Sequence, residues 1–152
     1  MVLMPKSSGK GFTLVELLVT VSIISILSAV GLVVFTSVMK QGRDSKRQSD
    51  LRSIQSALEQ YYADQMYYPQ TSILDPLLNS GGAFTNGAGK TYMNSLPKDP
   101  TGTDRYHYEG LPASCTTNCS SYCLYANFDG TSPGKPAACT SYSTYDFALT
   151  PP

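Results

Sequence analysis

A single carboxyl group, that of Glu16, stands at the N-terminal edge of a long apolar run. From Leu17 to Met39 the chain carries no Asp, Glu, Lys, Arg or His. At about 1.5 Å of rise per residue, that run makes roughly 34 Å of helix, enough to cross a bilayer. A carboxylate in such a helix is costly, about 2.5 kcal/mol or more at its centre and less near its edge. An ammonium in contact would offset the cost. So would a place in the first helical turn, or snorkelling to the headgroups. The main chain could itself supply an ammonium. Secretory signals are usually cut after their apolar segment, but here the candidate site, Gly11, precedes it. A cut there would remove a short basic leader with Lys6 and Lys10, keep the apolar helix, and free the amine of Phe12.

The second group of reactive side chains is Cys115, Cys119, Cys123 and Cys139, spaced C-x3-C-x3-C-x15-C. Zinc sites usually show tighter C-x2-C pairs. An even number of cysteines confined to the region beyond a membrane segment reads as disulfides in an oxidising compartment. Three connectivities are possible; Cys115–Cys119 with Cys123–Cys139 is preferred, because the second pair could staple the last two strands. Each bridge could add about 2–4 kcal/mol to a domain with little core. His107 is the only histidine. With no G-x-S-x-G nucleophile motif near it, it reads as a surface or partly packed residue rather than a base. No Walker loop or G-x-G-x-x-G occurs. Equal numbers of basic and acidic groups, 11 of each, argue against a general nucleic-acid binder.

These groups need an α+β frame: a long N-terminal helix packed on a small antiparallel sheet. Residues 1–11 read as a leader, whose true start is Met1 or Met4. Residues 12–39 read as an apolar helix, in which Ser22, Ser25, Ser28 and Gly31 either allow close helix packing or bond their own backbone. Residues 40–66 continue the helix with a changed character. Leu51, Ile54, Ala57, Leu58, Tyr61 and Tyr62 recur at steps of three and four, a stripe that should carry a soluble lobe. Lys40, Arg43, Asp44, Lys46, Arg47, Asp50 and Arg52 read as a solvated face. Tyr67-Tyr68-Pro69 ends the helix. Residues 67–152 form the lobe. Ile73, Leu74, Leu77 and Leu78 suggest a short helix capped by Ser72 or Asp75. Gly81-Gly82 and Asn86-Gly87 mark turns. Tyr106–Glu109, Tyr122–Phe128 and Tyr142–Leu149 are the strand candidates.

The run Lys10-Gly11-Phe12-Thr13-Leu14-Val15-Glu16 resembles the class III signal of type IV pilins and of the pseudopilins of type II secretion. The segment Gly42–Glu59 resembles the same region of major pseudopilins. So does the pattern of Tyr67-Tyr68-Pro69, a variable loop, Leu96-Pro97-Lys98-Asp99-Pro100 and Tyr106-His107-Tyr108, although Thr101 stands where that family often has Trp. The resemblance implies a pilin-like fold and a non-enzymatic structural subunit of a pilus or pseudopilus, cut by prepilin peptidase after Gly11 and methylated on Phe12. Glu16 would pair with the Phe12 amine of a neighbouring subunit. The implied partners are further copies, other pilins or pseudopilins, the inner-membrane assembly platform and the membrane, with no nucleic acid and with the assembly ATPase a separate protein. The implied location is the bacterial inner membrane, single-pass, with the lobe outside the cytoplasm, and then a periplasmic or extracellular filament. Basic flanks alone would give the opposite orientation; the leader motif decides, because the peptidase cuts on the cytoplasmic side. Many type IV pilins carry a helix-melting proline in the apolar segment, and none occurs between Gly11 and Met66. Major pseudopilins also hold a calcium ion in the C-terminal loop, where Asn127, Asp129 and Asp146 are the comparable residues. Calcium takes six to eight oxygens, and too few carboxylates lie close in sequence. The expectation is no cofactor, with the cysteines as the clamp instead. The alternative to a filament subunit is a membrane-tethered binding module or enzyme that never polymerises.

Overall fold

The computed structural model describes residues 11–102, 106–113 and 115–152. The leader up to Lys10 lies outside the described residues. The contacts divide the chain into two units at Val38/Met39, and each is taken by itself.

Helix α1 is Leu14–Gln65. Its apolar part is exposed on every side, as a segment long and apolar enough to cross a membrane. The hydroxyls in it bond carbonyls of their own preceding turn: Thr20 to Leu17 (2.8 Å), Ser22 to Val19 (2.7 Å), Ser25 to Val21 (2.8 Å) and Thr36 to Val33 (2.9 Å). These four side chains are thus satisfied within the single helix.

In the second unit, Leu51, Ile54, Ala57, Leu58 and Tyr61 of α1 are buried and found the core. The helix stops at Gln65, where Met66 takes a left-handed φ of 64° and its N–H reaches the Tyr62 carbonyl at 2.7 Å. Helix α2, Thr71–Ser80, buries Leu74 and Leu78. Its cap differs from expectation. Gln70 holds the N-cap position with no side-chain bond. Asp75 lies a turn further in, and its carboxylate is spent on β3 instead, accepting the Tyr108 N–H at 3.0 Å.

A two-stranded hairpin follows, β1 (Phe84–Thr85) and β2 (Thr91–Met93). The Asn86 Oδ1 closes its turn, accepting the N–H groups of Ala88 (3.1 Å) and Lys90 (2.8 Å). The main sheet is antiparallel in the order β3 (His107–Leu111), β4 (Ser121–Ala126), β5 (Phe147–Leu149), with His107 opposite Tyr125 and Leu124 opposite Leu149. The last strand is shorter than the expected Tyr142–Leu149. A turn from the Tyr145 N–H to the Tyr142 carbonyl breaks the extended run, and both rings pack on His107 instead.

Antiparallel sheets often leave one face to water; here alternate residues of β4 enter two separate clusters. Tyr122, Leu124 and Ala126 join Tyr108 and the α1 residues. Cys123 and Tyr125 join Cys139 and Ala148, with Tyr142 and Tyr145 packed over them. The disulfides follow this division. Cys123–Cys139 ties the outer face of β4 to the long connection before β5. Cys115–Cys119 sits at the entry to β4, where Cys119 exchanges backbone bonds of 2.9 and 3.2 Å with Tyr68.

Candidate functional site

Two sets of ionisable groups stand out, one in each unit. The first is the start of α1. Thr13 is the N-cap residue and Glu16 stands three residues on, the spacing of a capping box. The Thr13 N–H and hydroxyl donate to Glu16 Oε2 at 2.9 and 2.7 Å, and the Glu16 N–H donates to the Thr13 hydroxyl at 3.2 Å. In the single chain, then, the carboxylate stabilises the first helical turn. One of its oxygens does all of this: among the described residues, Oε1 accepts no hydrogen bond. Gly11 and Phe12 lie immediately before the box and are exposed.

The second set corrects the expectation of a solvated charged face on α1 for Asp44, Arg47 and Asp50, while Lys40, Lys46 and Arg52 are exposed as expected. Arg47 is 0% exposed, and Asp44 and Asp50 are also buried. The Arg47 Nε donates to Asp99 Oδ2 at 2.7 Å and its Nη2 to Asp99 Oδ1 at 3.3 Å. Its Nη1 meets Asp44 Oδ1 at 2.8 Å and Asp129 Oδ2 at 3.2 Å. Arg43 Nε reaches the same Asp129 oxygen at 2.5 Å. Three chain segments therefore converge on one guanidinium: α1, the Leu96–Thr101 loop and the Asn127–Gly130 loop. Beside them, Asp50 takes Lys46 at 2.5 Å and the Tyr106 hydroxyl at 2.9 Å.

The acidic members have further donors. Asp44 accepts the backbone N–H groups of Asp129 and Gly130, each at 2.9 Å. A side chain at Gly130 would bring a Cβ to 3.1 Å from Asp44 Oδ2, so glycine there lets the backbone close on the carboxylate. Asp99 accepts the Thr101 N–H at 2.8 Å. Burial alone would raise the Asp99 carboxyl; bonds from Arg47 and Thr101 outweigh it and hold it below the usual range. Arg43 is the main cause holding Asp129 below that range. Burial works against the charge on Arg47, and Asp99 and Asp44 outweigh it, raising its affinity for its proton. Removing one partner from such a buried group costs about 3–5 kcal/mol, because the rest are left uncompensated.

A signal for this burial was present in the sequence. Stepping the apolar stripe back from Leu51 lands on Arg47 after one turn and Asp44 after two, on the core side of the helix.

Two of the calcium candidates considered from the sequence have other partners. Asp129 is bound by two guanidinium groups. Asp146 Oδ1 accepts the Phe128 N–H at 3.0 Å. Among the described residues, no group of three or more His, Cys, Asp or Glu side chains could hold a metal ion. His107 is more enclosed than expected. Its Nδ1 lies 2.9 Å from Asp75 Oδ1 and its ring stacks on Tyr142, with centroids 4.8 Å apart.

The comparisons with known proteins match both ends of this description. A family described as "Prokaryotic N-terminal methylation motif" matches residues 6–35, and one described as "Type II secretion system (T2SS), protein G" matches residues 35–130. Among curated proteins, "Type II secretion system core protein G" of Pseudomonas aeruginosa is 32% identical over 111 residues, 69% of this chain and 76% of the relative. The protein of the same name in Escherichia coli is 31% identical, over 62% of this chain and 68% of the relative. That of Vibrio cholerae is 30% identical, over 64% and 68%. No solved structure matches the chain. With the protein G match covering more than half its length and the methylation motif ending where that match begins, the chain belongs to the type II secretion system protein G family.

Proposed function

We propose that this chain is a structural subunit of a type II secretion pseudopilus, cut after Gly11, methylated on Phe12, and built into a helical filament through its apolar helix. The family membership supports the class of subunit. The apolar half of α1 fits an inner-membrane anchor before assembly. In this reading prepilin peptidase acts on the exposed Gly11–Phe12 bond, and the lobe lies outside the cytoplasm. The subunit works by packing against further copies and other pseudopilins rather than by catalysis.

The observation that carries the assembly step is the division of labour at Glu16. Oε2 holds the capping box while, among the described residues, Oε1 accepts no hydrogen bond. Cleavage after Gly11 keeps Thr13 and its N–H, so the box survives processing. The Phe12 ammonium of a neighbouring subunit can then approach Oε1 without dismantling the helix start. A pair formed in an apolar surrounding gains from the low dielectric there.

This division also defines a sharper test than truncation. Glu16→Gln keeps an oxygen for the capping box but removes the charge, whereas Glu16→Ala removes both. We expect Glu16→Gln to insert, to be cut and methylated by intact mass, and to fail to enter filaments seen by electron microscopy. Normal filament incorporation of Glu16→Gln would refute the pairing.

A further inference from the structure

We propose that Cys115–Cys119 is a thiol–disulfide exchange site that opens and recloses while the lobe stays folded, and that Cys115 Sγ is the sulfur a partner dithiol attacks. Cys123–Cys139 is then the permanent bridge.

The two bridges are housed differently. Cys123 and Cys139 are 0% and 1% exposed, with Tyr142 and Tyr145 packed against them. Both ends of that bridge are closed to a reagent in the folded lobe. Cys115–Cys119 has one end of each kind. Cys119 is fully buried, and β3 lies directly against its sulfur, since a Cβ on Gly110 would come to 2.6 Å from Cys119 Sγ. Cys115 is only half-buried, and Pro112 and Ala113 before it and Thr116, Thr117 and Asn118 after it are exposed. The approach open to a thiolate is therefore from the Cys115 side. Access and choice of sulfur govern the rate of such attack, and exposed disulfides are the labile ones.

Opening this ring leaves the fold in place. It spans a sequence separation of 4, against 16 for the other bridge, and a short loop restrains the unfolded chain least. Cys119 is also held without its sulfur. Its backbone pairs with Tyr68 in both directions, and the next N–H, of Ser120, donates to the Leu111 carbonyl at 2.9 Å. Cys115 has a local bond, from its N–H to the Pro112 carbonyl at 2.8 Å, and Thr117 a long one of 3.5 Å from Gln70 Nε2. Reduction thus frees the Cys115–Asn118 stretch and keeps the entry to β4.

The chemistry balances with a dithiol as the partner. Its thiolate bonds to Cys115 Sγ, the S–S bond breaks, and its electron pair passes to Cys119 Sγ, which takes a proton; a neutral thiol suits apolar burial better than a thiolate. The partner's second thiol then attacks its own sulfur in the mixed disulfide, closing the partner's disulfide and releasing Cys115, which takes the second proton. Two electrons and two protons have moved, and the reverse sequence recloses the ring.

The test treats the full chain in detergent with dithiothreitol, a small dithiol, without denaturant. Samples are quenched in acid, alkylated in denaturant and mapped by mass spectrometry. Cys115 and Cys119 should become alkylated at least about tenfold faster than Cys123 and Cys139. The chain reduced at that one bridge should keep a cooperative melt by near-ultraviolet circular dichroism; all 11 tyrosines lie from Tyr61 onward and there is no tryptophan, so the signal reports the lobe. The attacked sulfur is read from two variants. Cys119→Ala should take up oxidised glutathione on Cys115 at least about tenfold faster than Cys115→Ala takes it up on Cys119. Should either variant not fold, the wild type treated with reduced glutathione and quenched in acid should carry its adduct on Cys115. Three results would overturn the proposal: no reduction of Cys115–Cys119 ahead of Cys123–Cys139, loss of the cooperative melt once Cys115–Cys119 is reduced, or glutathione on Cys119 as readily as on Cys115.

Discussion

Gly110 offers a quantitative test of how the first disulfide is housed. A Cβ at this position would lie 2.6 Å from Cys119 Sγ, 3.0 Å from the Pro69 carbonyl oxygen and 3.2 Å from Cys115 Sγ. Neither side can retreat easily. Gly110 is paired with Tyr122 in the sheet and donates its N–H to the Thr71 hydroxyl at 2.9 Å. Cys119 is fully buried and bonded to Tyr68 in both directions. Overpacking of this kind costs about 1–3 kcal/mol, less the roughly 0.4–1 kcal/mol by which alanine restricts the unfolded chain. With the 2.6 Å approach to Cys119 Sγ placing it in the upper half of that range, Gly110→Ala should cost about 1.5–2.5 kcal/mol in the wild-type background. Replacing Cys115 and Cys119 by Ala removes a bridge of sequence separation 4, worth about 2 kcal/mol by chain entropy. It also removes both sulfurs from the space beside Gly110. In that background only the Pro69 oxygen remains close, and Gly110→Ala should cost at least about 1 kcal/mol less. Urea unfolding of the four chains, read by tyrosine circular dichroism, gives the coupling. A coupling within about 0.5 kcal/mol of zero would show that the glycine is not there for the sulfur.

Two further predictions concern acid and the end of α1. Asp99 and Asp129 are both held below the usual carboxylate range in the folded lobe. The folded state then binds fewer protons than the unfolded one in acid, so their contribution is fully present above the unfolded value of about 3.9 and is lost as pH falls through the folded values. The urea midpoint should drop steeply below about pH 4, and Asp129→Asn should flatten that drop; an unchanged slope would remove the carboxylate from the account. Met66 is 74% exposed and holds a left-handed φ of 64°, so Met66→Gly gives up little packing. It should raise stability by about 1 kcal/mol in the same assay.

The start of α1 and its apolar stripe were legible because both are written in local spacing. Thr13 and Glu16 are three residues apart, and Leu51, Ile54, Leu58 and Tyr61 repeat at helical steps. The three strands of the main sheet were legible too, overlapping Tyr106–Glu109, Tyr122–Phe128 and the end of Tyr142–Leu149. What escaped depends on distance. Arg47 reads as a surface residue by type, and its partners Asp99 and Asp129 lie in loops whose approach no local pattern announces. The hairpin β1–β2 has only two and three residues in its strands, too short to show alternation. Tyr142 and Tyr145 looked like strand because they are aromatic; they serve as the cover over His107 and Tyr125 instead.

The loop between β4 and β5 is held by more than its cysteines. The Cys123–Cys139 bridge holds that loop at residue 139, ten residues beyond the Asp129-Gly130 turn. A bridge of sequence separation 16 contributes about 3 kcal/mol, mainly through the unfolded chain, and it does not fix where Asp129 stands in the folded one. That placement comes from Asp44, which takes the two successive backbone N–H groups, and from Arg43 and Arg47, which take the carboxylate. The two devices fail under different conditions. The covalent one is indifferent to acid and yields to reductant, and the ionic one yields to acid and is indifferent to reductant.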